Sequence, residues 1–93
     1  MGNVRMPITF YSEPGLLGDQ ENSSDDELPP LGECQSLSIV AHSIRNYTDR
    51  QVVVCEEEDC NNPTVTIGAA TANGPTENGN LRATRSFSTK ASG

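Results

Sequence analysis

The sequence predicts an all-β domain, and three observations favour this class. Hydrophobic residues make up only 33% of the 93 residues, and no apolar run reaches the length and spacing of a helix. Short runs in which apolar and polar residues alternate occur along the whole chain. Turn-forming Gly, Pro and Asn residues lie between these runs. Together they predict a small β-sandwich with a thin core, because a chain of this size buries only ~60–65% of its unfolded surface.

The strands are predicted from this alternation, beginning near the N-terminus. Ile8 and Phe10 are expected on one face of the first strand, with Thr9 and Tyr11 on the other. The later runs contain Leu37, Ile39 and Ala41, then Val52, Val53, Val54 and Cys55, then Val65 and Ile67, and finally Leu81, Ala83 and Phe87. The predicted core consists of Ile8, Phe10, Leu37, Ile39, Val52 or Val54, Val65, Ile67 and Phe87.

Charge is unevenly distributed and excludes some partners. The net charge is −7, with −9 on residues 1–60 and +2 on residues 61–93. An acidic surface repels phosphates, and no Arg/Lys stripe interleaved with aromatics offsets that repulsion, so we expect no nucleic-acid partner. Residues 19–33 carry six acids and two prolines, which predicts a long solvated loop or an excursion at a sheet edge.

The sequence also leads to expectations about the cellular compartment and the oligomeric state. No stretch approaches the ~18 apolar residues of a membrane helix, so no membrane partner is expected. The first ten residues lack the apolar core of a signal peptide, which favours a soluble, cytoplasmic protein. The chain is expected to be a monomer.

The three cysteines, Cys34, Cys55 and Cys60, form an odd set in a chain without a secretion signal, which favours reduced thiols. A Cys55–Cys60 disulfide is the alternative under oxidation, and it requires the two Cα atoms to lie within ~7 Å of each other. With His42 the three thiols would make a four-ligand zinc set, but their spacing does not match a zinc ribbon.

The chain contains a repeat of about 44 residues. Phe10, Leu16 and Gly18 are matched by Val54, Cys60 and Asn62 at the same spacings. The segment ITFYSEPGLLG resembles the signature of the βγ-crystallin Greek-key motif, in which two aromatic residues and a Gly form a folded β-hairpin. The segment VVVCEEEDCNN resembles a degenerate copy. The Gly position needs a positive φ, and Asn is the best non-Gly substitute there.

The resemblance covers nearly the whole chain and is strongest to single-domain microbial or fungal members of the family. It implies one domain over residues 1–93, in which two Greek-key motifs, at about residues 7–41 and 51–88, form a βγ-crystallin-like β-sandwich. Leu16, Val54 and Cys60 stand where the family has aromatic residues.

Calcium is the ligand that the resemblance implies. Family members often bind two calcium ions, each through a loop of the pattern N/D-N/D-x-x-S/T-S, which supplies hard oxygen ligands. The aligned positions here are Glu33, Cys34, Leu37 and Ser38 in the first half, and Asn80, Leu81, Thr84 and Arg85 in the second. The oxygen donors that remain are Glu33, Ser38, Asn80 and Thr84. We therefore expect no cofactor, with weak calcium binding as the alternative.

No catalytic constellation is visible in the sequence. The one His, His42, lies in the segment AHSIRN without a Ser-His-Asp or Cys-His spacing. The four adjacent acids at residues 56–59 are expected to face water. The sequence therefore predicts a non-enzymatic, crystallin-like structural, storage or stress-protective protein. The alternatives are a calcium-binding βγ-crystallin, or an effector that resembles the killer toxins, antifungal proteins and proteinase inhibitors of the same fold.

Overall fold

The computed structural model describes residues 8–23 and 28–91, and within them it contains eight β-strands and no α-helix. In chain order the strands are β1 (Ile8–Glu13), β2 (Leu17–Ser23), β3 (Gln35–Ala41), β4 (Ser43–Asn46), β5 (Arg50–Cys55), β6 (Pro63–Ile67), β7 (Thr76–Asn78) and β8 (Thr84–Ala91). A short 3₁₀ turn covers Glu58–Cys60. The predicted all-β class is confirmed. In these two ranges of the chain, no helix has the length and apolarity needed to cross a membrane.

The strands form two four-stranded antiparallel sheets, an arrangement compatible with a β-sandwich. The first sheet has the order β2-β1-β4-β7, and the second has the order β3-β8-β5-β6. Each half of the chain therefore supplies three strands to one sheet and its third strand to the other. This exchange of β3 and β7 joins the two halves into one structure.

The core lies between the two sheets. The rings of Phe10 on β1 and Phe87 on β8 lie with their centroids 4.9 Å apart, and both side chains are fully buried. The buried hydrophobic cluster contains Ile8, Phe10, Ala41, Ile44, Val52, Val54, Ile67, Leu81 and Phe87. The core prediction is confirmed for Ile8, Phe10, Val52, Val54, Ile67 and Phe87.

The core prediction is wrong at its margins. Leu37 and Ile39 are only partly buried, although they pack against the core. Val65 is 39% exposed because β6 lies at the edge of its sheet, with a neighbouring strand on one side only. Ala41 and Ile44 are fully buried, and neither was included in the predicted core.

The acidic segment 19–33 begins as an edge excursion, which is one of the two forms expected for it, because Leu17–Ser23 forms the edge strand β2. Residues 24–27 of that segment lie outside the described residues. The first set of four strands extends through β4 to residue 46, beyond the expected end of the first motif at residue 41.

The connection between the two halves is ordered by Asn46, whose side chain is fully buried. Its amide nitrogen donates hydrogen bonds to the carbonyl oxygens of Arg50 (2.8 Å) and Gly68 (2.9 Å). Its amide oxygen accepts hydrogen bonds from the backbone N–H (2.9 Å) and the hydroxyl (2.7 Å) of Thr48. Every polar group of this buried amide has a partner, so the turn from β4 into β5 is fixed in one conformation.

Candidate functional site

Two folded hairpins are the most distinctive feature of the molecule. The first hairpin, residues 13–18, connects β1 to β2 and has positive φ at Gly15 (78°), Leu16 (64°) and Gly18 (86°). The second hairpin, residues 57–62, repeats this conformation 44 residues later, at Asp59 (61°), Cys60 (59°) and Asn62 (56°). The predicted equivalence of Gly18 and Asn62 is confirmed. Non-Gly residues rarely adopt positive φ, so a matched set of three indicates a repeated structure.

A buried serine secures the first hairpin from a neighbouring strand. Ser43, at the start of β4, is fully buried. Its hydroxyl accepts a hydrogen bond from the Leu16 N–H at 2.9 Å and donates one to the Glu13 carbonyl oxygen at 2.7 Å. One side chain thus satisfies two backbone groups of the hairpin at the point where the chain folds back.

The second hairpin is secured in the same way by Ser86 on β8. The Ser86 hydroxyl, also fully buried, accepts a hydrogen bond from the Cys60 N–H at 2.9 Å and donates one to the Glu57 carbonyl oxygen. Cys60 and Glu57 are the counterparts of Leu16 and Glu13 in the 44-residue repeat. The two hairpins therefore share both their backbone conformation and their serine contacts.

A disulfide joins the second hairpin to the beginning of β3. Cys34 and Cys60 are bonded, with their Cα atoms 5.8 Å apart and 26 residues between them in sequence. The expectation of reduced thiols is wrong for these two residues, and so is the alternative Cys55–Cys60 pairing. The four-ligand zinc set, which the spacing already disfavoured, loses two of its ligands to this bond.

Cys55 is the free thiol among the described cysteines, and it is buried at the end of β5. Burial raises the pKa of the Cys55 thiol, and a hydrogen bond with Ser86 lowers it by a smaller amount. The thiol is therefore protonated near neutral pH and a poor nucleophile.

The first pair of predicted calcium donors lies just before β3 and within it. Glu33 is exposed, and its backbone N–H donates a hydrogen bond to the Pro30 carbonyl oxygen. Ser38 donates from its backbone N–H (2.7 Å) and its hydroxyl (2.8 Å) to Oε1 of Glu21 on β2. The same carboxylate oxygen accepts from the Ile39 N–H at 3.3 Å. The Ser38 oxygen is thus part of a bridge between the two sheets.

The second pair of predicted donors lies before β8 and at its first residue. Asn80 is exposed, and its backbone N–H donates to the Asn78 side-chain oxygen at 2.9 Å. Thr84 is fully buried, and its hydroxyl donates to the Arg82 carbonyl oxygen at 2.8 Å. Over residues 8–23 and 28–91, no three His, Cys, Asp or Glu side chains are grouped so that they could hold a metal ion. Weak or absent calcium binding stays a prediction.

His42 and the acidic run contact neighbouring backbone and side-chain groups. The Nδ1 atom of His42 lies 2.9 Å from the Ser12 carbonyl oxygen. In the acidic run, the carboxylate of Glu57 accepts a hydrogen bond from Asn62, and that of Glu56 lies 3.7 Å from an Arg82 guanidinium nitrogen. These contacts give both features structural roles in the hairpin region.

Sequence reasoning missed Ser43, Ser86 and Glu21. The two serines follow Phe10 and Val54 by 33 and 32 residues, so extending the 44-residue repeat with a one-residue deletion would have aligned them. Nothing in the sequence identifies Glu21, because its partner on β3 is reached only when the two sheets pack together.

Comparisons with protein-family models, with curated proteins and with solved structures find no match for this chain. The interpretation of the hairpins and of the disulfide therefore depends on the residues of the chain itself.

Proposed function

We propose that this chain is a non-enzymatic, βγ-crystallin-like domain with a structural, storage or stress-protective role. The observation that carries the proposal is the folded hairpin built twice, with matched positive-φ residues and with Ser43 and Ser86 in matched contacts. The two hairpins lie in the segments whose sequences resemble the signature of that family.

The strand topology supports two Greek-key motifs. In each half a hairpin forms first, the third strand crosses to the opposite sheet, and the fourth returns to pair with the first. β4 pairs with β1 and β8 pairs with β5, both antiparallel. A fourth strand that returns to lie beside the first is one feature of a Greek key. The two motifs cover residues 8–46 and 50–91 in this assignment.

The disulfide supports a domain that is stabilised without calcium. Cys34 occupies the second position of the first predicted calcium segment, and it is bonded to Cys60 in the second hairpin. The neighbouring donor Ser38 is hydrogen-bonded to Glu21. A covalent bond therefore already joins the first calcium segment to the second hairpin. Too few oxygen donors remain for a six- to eight-coordinate ion. In this proposal the protein needs no cofactor.

Deletion of the gene in the source organism, combined with a stress assay, tests the proposed role. We expect the protein to be abundant and its loss to reduce survival of heat or desiccation. A Gly18→Val variant, which damages the first hairpin, should fail to restore survival, whereas the Leu17→Ala variant of an exposed neighbour should restore it. Unchanged survival in the deletion strain, or full restoration by Gly18→Val, would count against the proposal.

The disulfide also favours one alternative, an exported effector of the same fold. Disulfides persist in oxidising compartments, which argues against the cytoplasm expected from the sequence. An effector should inhibit the growth of competing cells, or inhibit proteinases, when the purified protein is added. Accumulation outside the cell together with such inhibition would favour the effector over the structural protein.

A further inference from the structure

The two sheets have four edge strands, and three of them are protected against pairing with another chain. β2 carries Asp19 and Glu21, and charges on an edge disfavour strand addition. On β3, the N–H groups of Ser38 and Ile39 already donate to Glu21. β7 has only three residues, and its Glu77 forms an ion pair with Arg45 at 2.6 Å.

The fourth edge strand, β6, carries none of these three protections, although it begins with a proline and its pairing with β5 is irregular at Thr64. Its sequence is PTVTI, without a charged residue, and its first four residues are exposed. Among the described strands it pairs only with β5. Every second residue of an edge strand presents its N–H and C=O groups outward, so β6 offers backbone groups to an incoming strand.

The position of Val65 shows what an added strand would cover. Val65 pairs with Val54 of β5, which is fully buried, so both side chains lie on the inner face of the sheet. Val65 nevertheless remains 39% exposed, because no strand continues the sheet beyond it. An additional strand would extend the inner face and bury this β-branched side chain.

We propose that β6 pairs antiparallel with β6 of a second copy of this chain, forming a symmetric dimer with a continuous eight-stranded sheet. The segment Thr64–Val65–Thr66 reads the same in both directions. A two-fold axis at Val65 therefore places Val65 opposite its own copy and each Thr64 opposite the other Thr66. Val–Val and Thr–Thr pairs are favourable cross-strand pairs, and such an isologous interface closes on itself. The dimer differs from the monomer that was expected from the sequence.

The distribution of charge favours antiparallel over parallel pairing of the two β6 strands. The acidic run at residues 56–59 precedes β6, so parallel pairing would bring the two runs side by side. Antiparallel pairing places them at opposite ends of the strand pair. In that register each run corresponds to the partner's residues 71–74, which are uncharged. The two copies still carry −7 each, so the dimer should be weak at low salt and tighter when salt shortens the Debye length.

Sedimentation equilibrium on the disulfide-bonded protein tests the dimer, over ~10 µM to ~1 mM chain, the range of weak protein–protein affinities. We expect a monomer–dimer equilibrium with a dissociation constant that falls as salt rises. Val65→Lys should raise that constant at least ~10-fold, since a charge on an edge blocks strand pairing. Val40→Lys is the matched control, because Val40 is 38% exposed on the protected edge strand β3, and it should change the constant less than ~2-fold.

Amide hydrogen exchange supplies a second measurement that does not depend on a variant. Exchange at residues 64–66 should slow as the wild-type concentration rises, while exchange in β7 should not change. A monomer throughout the concentration range would overturn the proposal. A dimer that Val40→Lys weakens as much as Val65→Lys would also overturn it, because the contact would then lie elsewhere.

Discussion

Single hydroxyl groups fix the conformation of both hairpins. Ser43 and Ser86 are fully buried, and each joins a backbone N–H to a backbone carbonyl across a tight fold. A buried backbone group that loses its partner costs the free energy of its desolvation. The serine positions should therefore be among the most sensitive polar positions in the chain.

Replacing either serine should destabilise the domain. Ser43→Ala and Ser86→Ala each leave one N–H and one carbonyl without their side-chain partner, so each should lower the free energy of unfolding by ~1–3 kcal/mol. Ser36→Ala, at an exposed position of β3, should stay within ~0.5 kcal/mol of wild type. Urea denaturation of the three variants measures the difference. Losses no larger than that of Ser36→Ala would show that water replaces the serine contacts.

Gly18 and Asn62 share a positive φ, but only Asn62 carries a side chain. A Cβ atom at Gly18 would lie 2.9 Å from Cγ and 3.2 Å from the backbone nitrogen of Glu13. Gly18→Val should therefore lower the free energy of unfolding by more than ~1 kcal/mol, whereas Asn62→Gly should be neutral or mildly stabilising. Thermal melts of both variants check this. Equal tolerance of the two changes would argue against the equivalence of the hairpins.

The buried Cys55 thiol should make stability fall at alkaline pH. Burial raises its pKa in the folded protein, so the folded state keeps the proton to a higher pH than the unfolded state does. The buried thiol contributes fully to the free energy of unfolding below its pKa in the unfolded chain, ~8.5. That contribution is lost as the pH rises through the pKa of the thiol in the folded protein. Melting temperatures measured from pH 7 to pH 10 should therefore fall less steeply in Cys55→Ala. Parallel pH profiles for the two proteins would contradict this.

At the scale of elements, strand alternation predicts a side chain's face but not its burial. Ile8 and Phe10 are buried as expected, since β1 lies inside its sheet. Val65 shows the same alternation, yet it is exposed because β6 lies at an edge. Edge and central strands show the same local alternation. Their positions in the sheet depend on pairing between residues that are far apart in the sequence. The same reason explains why the segment that contains β2 was left as either a loop or an edge excursion, and why Glu21 was missed.

The contact between β1 and β8 should carry much of the core stability. Phe10 is fully buried and packs on Phe87 across the two sheets. Phe10→Ala should therefore lower the free energy of unfolding by ~3–5 kcal/mol, near the total stability of a domain of this size. Leu17→Ala, at a side chain that is 61% exposed, should cost less than ~0.5 kcal/mol. Denaturant titration followed by circular dichroism measures both, and similar losses would contradict the assigned core.

At the scale of the whole molecule, the cysteines show how far the sequence determines the candidate site. Their odd number and spacing do not indicate which two are bonded, because Cys34 and Cys60 meet only after β3 has crossed to the second sheet. The hairpin repeat, in contrast, is local and was predicted from residue spacing. The bond joins the two halves of a domain with a thin core, where one covalent link is a large fraction of total stability.

Stability should therefore depend on the disulfide and not on calcium. The disulfide closes a loop of 26 residues, which lowers the entropy of the unfolded chain and so raises the free energy of unfolding by ~3 kcal/mol. In a domain of this size, ~1 kcal/mol of stability shifts the melting temperature by ~4–8 °C. A Cys34→Ser/Cys60→Ser double variant should thus melt more than ~10 °C lower than a Cys55→Ser control.

Millimolar calcium should shift the wild-type melting temperature by less than ~3 °C, whereas a site of micromolar affinity would add ~4 kcal/mol. A larger calcium shift, abolished by Glu33→Ala or Asn80→Ala, would show that the remaining oxygen donors bind the ion.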